Sequence, residues 1–168
     1  MKQLLSTTAL AIFLITGSFA QSTFERTYNY GMGTSVCLLP NDEFITSTNY
    51  PMYGIAKMDA NGNVLSFNSI LNSTINNLRR TNDGNLIYTG MNIGAGTAVV
   101  SKTDLNGNSI WTKSFEADGF SAYTAGIIAQ NDNTYLFNMS SNGGTTSSPY
   151  EIFKLDDFGN EIWRNFPG

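Results

Sequence analysis

The sequence predicts an all-β protein built from three copies of one repeated unit. A stretch that reads KTDLNGNSIW at residues 102–111 recurs as KMDANGN at 57–63 and as KLDDFGNEIW at 154–163. The lysines that open these stretches lie 45 and then 52 residues apart, a period typical of stacked supersecondary units. No amphipathic window with helical spacing follows residue 20. Four-stranded antiparallel repeats of this length predict β-propeller blades, here three blades of an incomplete propeller.

Each repeat carries signals for four strands. A turn rich in Asn and Asp separates the first strand from the second in every repeat, at residues 41–43, 82–84 and 131–133. The four strands of the successive repeats are predicted at residues 36–39, 44–45, 53–56 and 64–67; 75–78, 86–88, 97–100 and 109–115; and 126–129, 135–137, 150–153 and 161–166. Insertions at 94–96 and 140–148 predict exposed loops. The blades are expected at about residues 24–70, 71–115 and 116–168, within a propeller segment 21–168.

The first 20 residues have the pattern of a secretory signal peptide. Lys2 precedes an apolar segment at residues 4–19, and the small residues Ser18 and Ala20 stand before Gln21. The segment is short and is interrupted by polar residues, and no second apolar run follows it, which favours cleavage over a retained membrane anchor. We expect the mature protein to begin at Gln21 and to be secreted or held at the cell surface.

Composition excludes several classes of function. The formal net charge is −4 and the only basic cluster is Arg79–Arg80, so binding of a nucleic-acid backbone is not expected. The sequence contains no histidine, which excludes Ser/His and Cys/His nucleophiles and every metal site that uses histidine. Cys37 is the only cysteine and lies in an apolar run, which predicts a small buried side chain without an internal disulfide.

The repeated motif is predicted to build a hairpin. Asp104 can accept hydrogen bonds from backbone N–H groups of its own turn, and Gly107 can adopt the positive φ of a tight reversal. Trp111 and Trp163, at the same offset after this turn, are expected to pack between adjacent blades. The first repeat has Ser66 at that offset with Phe67 beside it, and either Phe67 substitutes for the tryptophan or the first blade packs more loosely.

A calcium site in the motif is not predicted. Asp59, Asn61 and Asn63 have a spacing similar to that of an EF-hand loop, but the glycine is fourth instead of sixth. The twelfth positions, where an EF-hand requires glutamate, are Ile70, Phe115 and Pro167. No metal, no cofactor and no catalytic residue is therefore assigned.

Two acidic pairs and a set of aromatic residues are the other candidates for function. Asp156–Asp157 and Asp42–Glu43 have the chemistry of glycosidase carboxylates, but each pair lies in a repeat turn, which favours a capping role. Aromatic side chains could form a surface on which sugar rings stack, although packing between blades is favoured for most of them. These are Tyr28, Tyr30, Tyr50, Tyr53, Phe120, Tyr123 and Tyr150.

The second repeat contains the segments DGNLIYTG at residues 83–90 and VVSKTDLNGNSIW at 99–111. This pattern resembles the delta-60-type β-propeller repeats of secreted bacterial proteins, many of which end in a type IX secretion sorting domain. The resemblance covers residues 24–166. It implies an exported binding, adhesion or scaffold module without catalytic activity, with a protein or carbohydrate ligand. The alternative is a propeller fragment of an extracellular carbohydrate-active enzyme. The sequence departs from the family in having three copies of the repeat and no visible sorting domain.

Three repeats leave two apolar blade faces to be covered, because full propellers have about 4 to 8 blades. Truncation of a longer propeller is the favoured explanation. The other is self-association, in which two copies assemble a six-bladed ring. The sequence does not identify the ligand.

Overall fold

The computed structural model describes residues 31–116, 121–142 and 150–165, which form three four-stranded antiparallel sheets. The strands of blade 1 are β1 (Gly31–Leu38), β2 (Phe44–Pro51), β3 (Gly54–Met58) and β4 (Val64–Ser69). Those of blade 2 are β5 (Asn77–Arg80), β6 (Leu86–Met91), β7 (Ala98–Thr103) and β8 (Ser109–Phe115). Those of blade 3 are β9 (Ser121–Ala129), β10 (Tyr135–Asn142), β11 (Tyr150–Leu155) and β12 (Glu161–Asn165). The predicted all-β architecture of three four-stranded repeats is confirmed.

Most strands differ from their predicted bounds by a few residues, and the start of one predicted loop is a strand. Ser140 was assigned to a loop, but it lies within β10, where it pairs with Tyr123 and Tyr150. β10 extends to Asn142, and residues 143–148 of that insertion lie outside the described part of the chain, as do the predicted signal peptide and residues 24–30 of the first blade. None of the described segments forms a helix long and apolar enough to cross a membrane.

Strand register aligns the three blades residue by residue. Each repeat lysine lies on the third strand and pairs with one residue of the second strand and one of the fourth. These rows are Ile45–Lys57–Ser66, Ile87–Lys102–Trp111 and Leu136–Lys154–Trp163. Positions in different blades can therefore be compared directly, and alternation along a strand assigns each side chain to one of two faces. We call the face toward the preceding blade the front face and the other the back face.

Two apolar clusters hold the blades together. The cluster between blades 1 and 2 contains Leu39, Ile45, Ile55, Ile75, Leu78, Leu86, Tyr88 and Val99. The cluster between blades 2 and 3 contains Ile87, Ala98, Val100, Ala122, Ile127, Tyr135, Phe137, Met139, Phe153 and Leu155. Because blade 2 has a neighbour on each face, every residue of β7 is buried. The buried residues of β7 include the polar side chains of Ser101, Lys102 and Thr103.

Candidate functional site

The repeated hairpins have the predicted turn geometry. The Oδ1 atom of Asp104 accepts hydrogen bonds from the backbone N–H groups of Asn106 and Asn108 at 2.8 and 2.9 Å, and Oδ2 accepts one from the Asn108 amide at 2.8 Å. Asp59 and Asp156 make the same three contacts in their own turns. Burial alone would raise the pKa of the Asp104 carboxyl, but these hydrogen bonds outweigh it and lower the pKa. Both oxygens of each motif carboxylate thus serve the turn.

Trp111 connects blade 2 to the hairpin of blade 3, as predicted. Its indole N–H donates to the carbonyl oxygen of Asp157 at 3.0 Å. A Cβ atom placed on Gly159 would lie 2.9 Å from the indole ring, and Gly159 has a φ of +77°. This position requires glycine both for the turn and for the close approach of the tryptophan.

At the interface between blades 1 and 2, Phe67 does not substitute for the tryptophan. Phe67 lies one residue beyond the equivalent position, so it points to the front face of its sheet, where its ring packs over Gly54 of the same blade. Asn68 instead contacts the hairpin of blade 2, where its amide donates to the carbonyl of Asn106 at 3.1 Å. The alternative prediction of a looser first interface agrees with this arrangement.

The repeat lysines form ion pairs with the Asn/Asp turn of their own blade. Lys57 contacts Glu43 at 2.8 Å, Lys102 contacts Asp83 at 2.7 Å and Lys154 contacts Asp132 at 3.6 Å. Lys102 differs from the others because it also contacts Asp157 of blade 3 at 2.6 Å. The side chain of Lys102 is only 4% exposed.

Tyr135 completes the group around Lys102. Its hydroxyl donates to Oδ1 of Asp157 at 2.5 Å. Burial and this hydrogen bond to a carboxylate together raise the pKa of Tyr135 to about 12. Burial lowers the pKa of Lys102, but the bonds to Asp157 and Asp83 outweigh it and raise the pKa above the usual range. Burial alone would raise the pKa of Asp83, but the hydrogen bond from Lys102 outweighs burial, and the pKa of this carboxyl is lowered. Near neutral pH, Lys102 is therefore protonated, Asp83 is ionised and Tyr135 keeps its hydroxyl proton, and these bonds join blade 2 to blade 3.

A groove of about 410 Å³ lies between the outer parts of blades 1 and 2. Blade 1 contributes Asn68 and Ser69, the following segment contributes Ile70, Leu71 and Ser73, and blade 2 contributes Tyr88, Thr103, Gly107, Asn108, Ser109 and Thr112. None of these side chains carries a charge. Thr103 is 1% exposed and its hydroxyl has no hydrogen-bond partner. A buried hydroxyl without a partner is unfavourable, and this one belongs to a residue in the wall of the groove.

The groove occupies space that aromatic side chains fill between blades 2 and 3. On the back face of the preceding blade, Ser66 and Ile70 stand where Trp111 and Phe115 stand one blade later. On the front face of the following blade, Ser101 and Thr103 stand where Phe153 and Leu155 stand. These smaller side chains fill less of the space between the blades, and two of the four, Ile70 and Thr103, line the groove.

Solved structures share this arrangement of sheets. A protein of unknown function from Bacteroides caccae matches with a TM-score of 0.56 at 13% identity, over 86% of this chain and 49% of that chain. The Pan2 WD40 domain of Neurospora crassa gives 0.54 at 11% identity, over 83% and 43%. A protein from Lactobacillus plantarum gives 0.53 at 15% identity, over 81% and 42%. No family model and no curated protein matches the chain. The chain is an incomplete β-propeller.

This propeller chain spans less than half of the length of those three structures. At such low identity the likeness concerns the fold alone, with WD40 proteins as one class of β-propeller. The activity and partners of this propeller must therefore be argued from its own residues.

The residues of both acidic pairs lie in turns, and three of the four make contacts that stabilise the fold. Asp156 caps its hairpin while Asp157 contacts Lys102 and Tyr135. Glu43 pairs with Lys57, and Asp42 lies in the turn with a φ of +59°. Over residues 31–116, 121–142 and 150–165, no three His, Cys, Asp or Glu side chains group as a metal site would require.

Those candidate aromatic residues that the structure describes do not form one surface. Tyr50 is exposed on blade 1, whereas Tyr123 and Tyr150 flank Ser140 on blade 3. Tyr53 is half-buried, and Tyr28, Tyr30 and Phe120 lie outside the described residues.

Cys37 is half-buried instead of buried, and burial raises the pKa of its thiol. The sequence analysis also missed the groove and the second ion-pair partner of Lys102. That partner, Asp157, stands where the other two repeats have Ala60 and Leu105, and this difference between the repeats was the signal that could have identified it.

Proposed function

We propose that this chain is a secreted or cell-surface β-propeller module that binds a neutral, polyhydroxylated ligand of the carbohydrate class and has no catalytic activity of its own. Export is supported by the signal pattern of residues 1–20. Ligand binding is supported above all by the buried, unpartnered hydroxyl of Thr103 in the groove between blades 1 and 2. A ligand hydroxyl that pairs with this group would relieve a polar atom buried without a partner.

The chemistry of the groove favours a carbohydrate over a charged ligand. Its polar groups are hydroxyls and amides, which act as both donors and acceptors, as sugar hydroxyls do. Ile70, Leu71 and Tyr88 add apolar surface for the C–H faces of a sugar ring. An anionic ligand would find no lysine or arginine along the lining, and a cationic one would find no carboxylate.

Binding of neutral glycans to two matched variants tests this proposal. Thr103→Val removes the hydroxyl in the groove and keeps the side-chain shape. Thr89→Val makes the same change at a second buried hydroxyl that also lacks a partner but does not line the groove. We expect wild type and Thr89→Val to bind the same glycans, and Thr103→Val to bind them about five- to tenfold more weakly, as for the loss of one hydrogen bond.

Neither variant should be less stable than wild type, because each replaces an unpaired buried hydroxyl by an apolar group of similar shape. Equal weakening in both variants, or no binding of any neutral glycan by wild type, would contradict the assigned ligand class. Release of reducing sugar from a bound glycan would contradict the absence of catalysis. Intact mass of the exported protein tests its location, with Gln21 expected as the first residue.

A further inference from the structure

A second cavity adjoins the groove between blades 1 and 2. It has a volume of about 240 Å³ and shares with the groove the end of β4 and the segment after it, at Ser69, Ile70 and Leu71. Leu71 is 82% exposed and belongs to the wall of both cavities. All residues that line the two cavities lie in blades 1 and 2 or in the segments that join the strands of these blades. The cavities are therefore neighbours along one segment of the chain.

The second cavity is more apolar in its own lining residues than the groove. The residues that it does not share with the groove are Pro51, Met52, Tyr53, Asn72 and Ile93. Met52 and Ile93 are 40% and 44% exposed. Exposed apolar side chains that are grouped in a concave surface are typical of binding sites. None of these residues carries a charge, and the ring of Tyr53 suits the C–H face of a sugar.

The wall between the two cavities is held from both blades by backbone hydrogen bonds. The N–H group of Ile70 donates to the carbonyl oxygen of Tyr53 in blade 1 at 2.9 Å. The N–H group of Ile93 in blade 2 donates to the carbonyl oxygen of Asn72 at 2.8 Å. Both cavities are thus formed before a ligand binds, and a preformed site loses less conformational entropy on binding.

The volume of the second cavity favours one extended site over two separate sites. Pockets that bind small molecules usually have about 300 to 1,000 Å³, and a cavity of about 240 Å³ is small for a site of its own. As an extension of the groove it adds an apolar surface next to hydroxyl groups such as that of Thr103. Linked sugar units offer both kinds of surface, because each has hydroxyl groups at its edge and C–H groups on its faces.

We propose that the groove and the second cavity are subsites of one site for a neutral oligosaccharide, whose successive sugar units lie on either side of Leu71. This inference rests on the proposed function, which assigns a carbohydrate to the groove. It adds that the ligand is an oligosaccharide and not a monosaccharide, and that Met52 and Ile93 contribute to its recognition.

The dependence of binding on glycan length tests the extended site. The probes are oligomers of glucose, mannose, galactose and N-acetylglucosamine, each from the monosaccharide to the hexasaccharide, and titration calorimetry measures their affinities. For the sugar that wild type binds, we expect affinity to rise by about tenfold or more with length, because the longer glycan also covers apolar surface in the second cavity. The affinity should stop rising once both cavities are filled.

Two variants confined to the second cavity show whether the gain with length comes from it. Met52→Ser and Ile93→Ser remove exposed apolar side chains of blade 1 and blade 2, so both should keep the strand content of wild type. Each should bind the longer oligosaccharides about tenfold more weakly and the monosaccharide as wild type does. Thr103→Val should instead weaken all lengths by the same factor. Ile110→Ser is the control, because Ile110 is 52% exposed but lines neither cavity.

The outcomes separate this inference from the proposed function. Affinity that does not change with length, or equal weakening of monosaccharide and oligosaccharide binding by Met52→Ser and Ile93→Ser, would overturn the extended site and leave carbohydrate binding by the groove intact. The same loss in Ile110→Ser would also overturn it. If wild type binds none of these glycans at any length, the proposed function fails and the extended site fails with it.

Discussion

The two blade interfaces use the same strand register but different side chains. Between blades 2 and 3 the contact is aromatic: Phe137 and Phe153 stack with centroids 4.8 Å apart, and Phe115 lies 5.0 and 5.2 Å from them. Between blades 1 and 2 the cluster is aliphatic apart from Tyr88. Side-chain hydrogen bonds supplement it, such as those from Thr34 and Asn49 to the carbonyl of Ile75 at 2.6 and 3.1 Å.

This difference shows how one repeat can provide both a rigid joint and a binding cleft. The backbone frame and the hairpin caps are the same at both interfaces, so the frame does not depend on the residues that fill the space between blades. Large rings fill that space at one interface, and small hydroxyl residues leave it open at the other. The groove is thus a consequence of side-chain volume at four equivalent positions, with no change of fold.

Truncation of Phe153 should separate the two interfaces most clearly. Phe153→Ala removes a buried ring that contacts two others, and we expect a loss of about 3–5 kcal/mol in the free energy of unfolding. Ser101→Ala changes the equivalent residue of blade 2 and removes hydrogen bonds to Trp111 and Thr112, for a loss of about 1 kcal/mol. Urea unfolding measures both, and equal losses would mean that the interfaces are packed alike.

Removal of the buried lysine should have the next largest effect. Lys102→Met leaves Asp83 and Asp157 facing each other without their counterion, and both carboxylates are 36% exposed and can rehydrate in part. We expect a loss of about 3 kcal/mol, at the low end for a broken buried pair. Lys57→Met breaks a more exposed pair within one blade and should cost at most about 1 kcal/mol. A larger loss for Lys57→Met would show that the inter-blade bond adds nothing.

The pH dependence of stability sharpens this comparison. The pKa of Asp83 is lowered in the folded protein, so its contribution is complete above the usual carboxyl range and is lost as pH falls below about 4. The pKa of Lys102 is raised, so its contribution is lost only in alkali, above about 10.4. The stability difference between wild type and Lys102→Met should therefore be constant near neutral pH and should shrink in acid. A difference that grows as pH falls would contradict the assignment.

Alanine substitutions at Gly107 and Gly159 compare the contacts that the hairpins make at the two interfaces. Gly107→Ala places a side chain at a φ of +83° with its Cβ 3.1 Å from Asn68, and should cost about 1 kcal/mol. Gly159→Ala adds a contact with the Trp111 ring to the same backbone strain, for about 2–3 kcal/mol. Thermal unfolding measures both variants. In a Trp111→Ala background the extra cost at Gly159 should disappear, and its persistence would show that the tryptophan is not its cause.

The hairpin cap should give the smallest effect and the same one in all three blades. Asp104→Ala leaves exposed turn donors that water can partly satisfy, so we expect a loss of about 1 kcal/mol. Asp59→Ala and Asp156→Ala serve as matched variants. Calcium and EDTA should leave the melting temperature of wild type unchanged, because the turn itself uses both oxygens of each carboxylate. A melting temperature that rises strongly with calcium would mean that the motif binds metal.

The sequence predicts those features of the molecule that depend on neighbours along the chain. The Asp104 and Gly107 roles follow from local turn chemistry, and the strands follow from the recurrence of that turn. The groove is lined by residues of both blades, such as Asn68 and Thr103, so only an alignment of each repeat with the next could find it. The sequence left open whether Phe67 replaces the tryptophan, and the structure shows that it does not, because adjacent residues of a strand point to opposite faces.

Hydrogen exchange resolved by strand tests most directly whether the two interfaces differ in strength. Blades 1 and 3 are each joined to blade 2 by one internal interface, so the comparison is matched. Amides of β3 should exchange through an opening of lower free energy than those of β11, because β11 is held by the aromatic interface and β3 by the aliphatic one. Equal protection of β3 and β11, or earlier opening of β11, would contradict the account.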